Sequence, residues 1–254
     1  MERSRDGVRQ RFLALCVSAT IVGLLHGPAQ AQEPAPAERP TKFTADFSYV
    51  STGGNSDAQT LAGAEKLEHK TSVWLFTQRA GAVWGTANHV ENANRYLFEL
   101  RADRELSKRL AVYGLLGWAR DPFAAVDRRF DEGLGLVGHV VLPTPHTFDV
   151  QAGVGMAQRR TTLGEDEDFA TGRLAGYYRY EIHGPKTYFE TEDVYLHNFD
   201  HSDDYQVEAR AALAAALANS VSMKIGYSYR YRNQPPVGFK NWDSTFASGI
   251  QVSY

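Results

Sequence analysis

From Val221 to Arg232 the chain reads VSMKIGYSYRYR and alternates without a break. Val221, Met223, Ile225, Tyr227, Tyr229 and Tyr231 share one parity, and Ser222, Lys224, Gly226, Ser228, Arg230 and Arg232 share the other. A period of two belongs to a β-strand, whose successive side chains leave on opposite faces, whereas a helix would scatter the basic groups around its circumference. The run is also long. Ordinary strands have about five or six residues, while a tilted strand needs roughly 9–11 to cross a bilayer. One face of this strand seeks an apolar medium and the other seeks water.

The same pattern recurs. Tyr96, Phe98 and Leu100 oppose Arg95, Glu99, Arg101 and Asp103; Leu174, Tyr178 and Tyr180 oppose Arg173, Arg179 and Glu181; Tyr205, Val207 and Leu213 oppose Glu208 and Arg210. Twelve runs are predicted, near 43–52, 58–70, 72–86, 93–106, 109–120, 129–142, 147–161, 169–183, 187–199, 204–217, 220–233 and 242–254. In 58–86, 109–120 and 187–199 both parities carry apolar groups and the register stays open. An even strand count fits a single-chain outer-membrane barrel. Past a compact first hairpin, the links are expected to alternate long and short, with TANHVENAN, DPFAAVDRR and NQPPVGFKNW among the long ones. Aromatics such as Trp74, Trp84, Trp118, Tyr231 and Trp242 fall near strand ends, where interfacial girdles belong. The expected fold is therefore all-β: an antiparallel up-and-down transmembrane β-barrel of about twelve strands.

The N-terminal segment predicts export. Arg3, Arg5, Arg9 and Arg11 precede the apolar run Phe12–Leu25 and the small-residue site Ala29-Gln30-Ala31, the layout of a cleaved signal peptide over 1–31. Residues 32–42, QEPAPAERPTK, read as a Pro- and Ala-rich periplasmic linker, and 43–254 as the barrel. Cleavage would remove Cys16, the one cysteine, and would leave 23 basic against 28 acidic residues, a net charge of −5. That balance excludes nucleic acid as a partner. A mean hydropathy of −0.40 does not argue against a membrane barrel, because alternation dilutes the average. The expected location is the outer membrane of a Gram-negative bacterium. The expected partners are outer-membrane lipid and lipopolysaccharide, the barrel-assembly machinery, and small ions or solutes.

Three stretches, FSYVSTGGNSDAQTLA (Phe47–Ala62), ENANRYLFELRADRELSKRLAVYGLLGWARDPF (Glu91–Phe123) and YRNQPPVGFKNWDSTFASGIQVSY (Tyr231–Tyr254), occur in that order along the chain. Together they resemble the bacterial salt-induced outer-membrane proteins, a domain-of-unknown-function family. The resemblance implies an outer-membrane barrel and a link to salt or envelope stress. It supplies no functional residues.

No catalytic set is expected. None of the histidines beyond the leader has Ser two positions later, the spacing of outer-membrane lipid hydrolases. The cluster His197, Asp200, His201, Asp203 and Asp204 is the alternative candidate for a hydrolase or metal rim, and its bland reading is a solvated acidic loop. Glu165, Asp166, Glu167 and Asp168 are weak candidates for a divalent cation. No cofactor and no specific metal are expected. A soluble periplasmic β-protein is the other alternative. The candidate lumen-lining residues are Arg95, Glu99, Arg101, Asp103, Arg173, Arg179, Glu181, Glu208, Arg210, Lys224, Arg230 and Arg232, a basic-leaning set; the expected role is a narrow, anion-leaning pore or an envelope-structural barrel, and the sequence does not choose between them. The alternating end of the sequence, with Phe246, Ile250, Val252 and Tyr254 on one face, is expected to be the assembly signal and the seam with the strand near Phe43.

Overall fold

The structure, a computed structural model, describes residues 40–52 and 58–254. The predicted signal peptide and nearly all of the linker lie outside these residues. The described chain forms twelve strands: β1 (Thr41–Thr52), β2 (Ala58–Lys70), β3 (Trp74–Ala87), β4 (Val90–Ser107), β5 (Leu110–Asp121), β6 (Val126–Val140), β7 (His146–Thr161), β8 (Asp166–Glu181), β9 (Tyr188–Asn198), β10 (Tyr205–Ala218), β11 (Val221–Arg232) and β12 (Trp242–Ser253). Each pairs antiparallel with its sequence neighbours, and β1 pairs with β12, so the sheet is a closed up-and-down barrel. Closure satisfies strand edges internally, which a sheet surrounded by lipid requires.

Faces follow from register. Paired residues share a side, so Tyr227 against Phe246 and Ala211, and Leu134 against Gly114 and Val154, belong to the outer wall. Leu134 is 66% and Phe246 68% exposed, which for an apolar face implies a non-aqueous surrounding. Trp74, Phe76, Phe148 and Phe189 lie on this wall toward the rim that carries Thr41 and Ser253. Trp84, Trp118, Phe130, Tyr231 and Trp242 lie toward the far rim.

The strand boundaries correct two expectations. β1 starts at Thr41, inside the segment read as linker. The predicted long-short sorting of links is not kept. Where TANHVENAN was expected to loop, β3 and β4 run on and meet in a tight turn at Asn88 and His89, both at positive φ. DPFAAVDRR collapses to the one-turn 3₁₀ helix Pro122–Ala124 before β6. Meanwhile the links 141–145 and 182–187 at the terminal rim are longer than the Asn88–His89 turn. Asn and Asp signal turns, yet they do not say how far the flanking strands zip.

The seam is short. Its ladder runs over four pairs, Thr44–Phe47 against Ile250–Ser253, whereas β1 pairs with β2 along all twelve of its residues. Mutual backbone bonds between Phe43 and Tyr254, 3.0 and 2.8 Å, extend the seam at the terminal rim, and Ser48 Oγ donates to the Ser248 carbonyl at 2.6 Å at its upper limit.

Candidate functional site

All twelve lumen candidates lie on the inner wall by register. One half of the bore, lined by β4–β8, is filled. Tyr113 is 4% exposed and packs with Ala111 and Val137. Its ring lies flat because the facing inner positions on β6 and β7 are Gly135 and Gly153; a Cβ on Gly153 would run into the Tyr113 hydroxyl. Above the ring sits the Arg101 guanidinium, 4.2 Å from its centroid. Arg101 also grips Asp103, with Nη2 to Oδ1 at 2.6 Å. It donates from Nη1 to Gln151 Oε1 at 2.8 Å, and Arg173 donates to the same oxygen at 2.8 Å. That oxygen joins β4, β7 and β8 across the lumen.

The other half holds a chamber of about 530 Å³ lined from β8 through β12 and β1 to β4. Arg79 reaches Glu192 across the bore at 3.5 Å and Glu99 beside it at 3.6 Å. Arg210 meets Glu208 at 2.7 Å and Glu192 at 3.5 Å. Lys224 donates to Asp46 at 3.0 Å and approaches Glu190 at 3.5 Å. Arg179 bonds Glu190 at 3.4 Å, approaches Glu181 at 3.5 Å and stacks 3.6 Å over the Tyr188 ring. Tyr188 donates to Gln251, which donates in turn to Asp46 Oδ1 at 2.8 Å. Toward the far rim Arg230 bonds Asp121 at 2.7 Å, with Arg95 at 3.8 Å from the same carboxylate. Arg129 bonds Asp131 there as well. Paired charges of this kind contribute modestly as pairs, but removing one partner strands the other and costs roughly 3–5 kcal/mol where burial is deep.

Sequence reasoning missed seven of these charged groups. Arg79, Arg129, Asp46, Asp121, Asp131, Glu190 and Glu192 bring the lining close to charge balance, so the basic excess expected from the twelve candidates is not a property of the bore. Most lie on strands, or on β1, whose inward parity mixes small or apolar residues with the charges. The parity of Glu190 and Glu192 was the available signal, and it was masked by Asp193 on the opposite face.

At the far rim Asp204 ties the loop 199–204 to the wall. It accepts from Arg159 Nη2 at 3.3 Å and Asn198 Nδ2 at 3.2 Å, and Arg232 Nε lies 3.5 Å away. Burial pushes the Asp204 carboxyl up, but the Arg159 and Arg232 guanidinium groups outweigh it and hold the carboxyl below its ordinary range.

The cluster offered as a hydrolase or metal rim is divided between faces. His197 is on the outer wall, stacked with Tyr195 and edge-on to Phe199, while Asp204 points inward. Asp203 holds the 233–241 link through Asn233 and Gln234. The acidic run is likewise dispersed: Glu165 lies in the link before β8, and Asp166–Asp168 open the strand itself. Glu167 turns inward to Arg159 at 2.6 Å, Asp166 pairs with Arg160 at 3.7 Å, and Asp168 faces outward opposite Gln158. Among the described residues no group of three or more His, Cys, Asp or Glu side chains is placed to hold a metal ion. One histidine-carboxylate set that the sequence did not suggest lies inside the terminal rim: His139 Nδ1 is 2.8 Å from Asp149, and Nε2 is 3.5 Å from Glu105. Among the described residues no hydroxyl is hydrogen-bonded to it.

The outer wall breaks its own apolar rule at a few points. Glu132 lies between Leu116 and Met156 near the far-rim aromatics, and Asp193 between Gly176 and Ala209. Glu65 and Gln78 are bonded to each other, Nε2 to Oε1 at 2.8 Å. The expected assembly-signal residues Phe246, Ile250, Val252 and Tyr254 also occupy this wall.

Residues 45–254 match the profile of a family described as protein of unknown function, DUF481. No curated protein sequence matches the chain. Among solved structures it is similar to the NanC porin, at 13% identity over 84% of this chain and 97% of that one, with a TM-score of 0.47. It is similar to the translocator domain of the autotransporter NalP from Neisseria meningitidis, at 13% identity over 98% and 95%, TM-score 0.48. It is also similar to the KdgM porin, at 10% identity over 84% and 99%, TM-score 0.43.

Proposed function

The chain belongs to the DUF481 family of proteins of unknown function, and from that premise we propose that it is an outer-membrane barrel with a narrow, off-centre polar passage for small ions or solutes. The observation that carries this reading is the chamber of about 530 Å³ beside a filled half-bore, walled by ion pairs that reach across it. A barrel serving only as a scaffold has no need to keep half its bore open to charged groups. The near balance of those charges supports weak ion selectivity, since a ring of one sign is what discriminates. In this reading the terminal rim faces the periplasm, and the wall contacts outer-membrane lipid and lipopolysaccharide.

The test is conductance in planar bilayers. The Arg79–Glu192 pair spans the chamber, so Glu192→Ala with Arg79→Ala should raise single-channel conductance about two-fold or more. Arg210→Glu should move selectivity toward cations. A folded barrel that is silent in both forms would sink the passage. It would favour an envelope-structural role, which the packing of Tyr113, Arg101 and Gln151 also supports. A link to salt or envelope stress comes from the sequence resemblance, and growth of a strain lacking the protein at raised salt would test it.

A further inference from the structure

Glu65 and Gln78 place polar groups well inside the lipid-facing wall. Glu65 pairs in register with Ala45 and Ala80, and Gln78 with Leu67 and Leu100. They stand five and four residues, respectively, from the terminal-rim ends of their strands at Lys70 and Trp74. The aromatic residues Tyr49 and Trp84 lie toward the far rim from them, and Phe43 and Trp74 toward the terminal rim. Polar side chains at that depth in a lipid-facing wall mark function, and the question is what partners them.

We propose that this face of β1–β3 is the contact between two copies of the chain, related by a two-fold axis along the membrane normal. Such an axis keeps depth and reverses the lateral order, so a donor and an acceptor side by side at one depth meet their opposites on the partner. Glu65 and Gln78 meet that condition, since their depths differ by about one residue and they sit on adjacent strands. Their mutual bond uses one amide hydrogen of Gln78 and one oxygen of Glu65. The second hydrogen and the second oxygen remain to bond the partner's pair, closing a ring of four side chains. Ala45, Gly63, Ala80 and Ala82 form a small-residue patch beside Glu65, bordered by Leu67 and Leu100 at Gln78 and by Phe47 and Phe98, and over that patch two barrels can approach closely, as small residues permit between membrane segments. Of the other carboxylates within this wall, Asp193 has only Thr191 beside it, at 3.4 Å, and no amide, and Glu132 lies between Leu116 and Met156, so neither forms a carboxylate–amide pair of this kind among the described residues.

The proposal requires the barrel to be embedded in a bilayer, but not that it conducts, and a heat-dependent gel shift reports folding separately. In the full chain with Cys16→Ser, Ala80→Cys or Gly63→Cys is treated in native membranes with a short bismaleimide. Position 63 accepts a side chain, because the nearest atom to a Cβ there is the Asp46 carbonyl at 3.9 Å. Both variants should give a band at twice the monomer mass, and Ala211→Cys, on β10 outside the proposed face, should give none. Glu65→Leu with Gln78→Leu should cut the yield at least ten-fold while the gel shift persists. Glu65→Gln, which puts an amide donor where the ring needs the second oxygen, should cut it as well. A band of any other mass, equal capture at position 211, or a yield unchanged in the double-leucine variant would overturn the proposal.

Discussion

Gly153 shows how much of the interior depends on one missing methyl group. The Tyr113 ring lies flat because nothing projects from β7 beneath it, and a Cβ there would meet both the Tyr113 hydroxyl and the Leu134 carbonyl, the latter at 2.7 Å. Gly153→Ala should therefore destabilise the barrel by roughly 1–3 kcal/mol, the usual cost of overpacking, read from the urea midpoint in lipid vesicles. In a Tyr113→Phe background the hydroxyl share of that cost should vanish, leaving the share owed to the Leu134 carbonyl. Equal costs in both backgrounds would show that the ring is not held this way. Nothing in the sequence singled out Gly153, because a glycine in a strand reads only as weak strand propensity until its neighbour across the sheet is known.

At the scale of elements, the loop 199–204 hangs on one carboxylate. Asp204 is held below its ordinary value of 3.8 by Arg159 and Arg232 against the opposing effect of burial. A depressed carboxyl stabilises the folded form above its unfolded pKa, and that contribution is lost as pH falls through the folded value. Protease cleavage of the loop should thus be slow at neutral pH and rise only once the pH drops below 3.8. Asp204→Asn should be cleaved readily at every pH, at a cost of roughly 1.5–3 kcal/mol for bonds to a charged group. A flat pH profile in the unsubstituted protein would refute the tether. The loop's composition was legible in advance, yet the role of Asp204 was not, because the residue that claims it, Arg159, lies on β7 and far off in sequence. Strands with clean alternation, such as β11, were legible from residue types to face. β2, β3 and β9 were not, since Glu65, Gln78 and Asp193 put polar groups on the outer wall while Leu75, Val83, Val194 and Leu196 turn inward. The links were misjudged in length for a related reason: period two shows which way side chains point, and not where pairing stops.

For the whole molecule, closure itself followed from the even number of runs and the lipid face of the last one, but the unequal strength of the joints did not. Eleven joints are hairpins laced along most of their length, while the twelfth is laced over four pairs near the terminal rim. Gly249 marks its upper limit, where a Cβ would strike the Phe47 carbonyl. Beyond it the two strands run on with partners on one side only. A cylinder fastened this way is a rolled sheet with a clasp, and it should fail as a clasp fails. Under force or rising denaturant, opening should begin at the far-rim end of that joint and travel toward Phe43 and Tyr254. In hydrogen exchange, the seam-facing amides of Thr44–Phe47 and Ile250–Ser253 should therefore lose protection before any amide of the β6–β7 ladder. Uniform loss around the circumference would show instead that the cylinder has no preferred line of rupture.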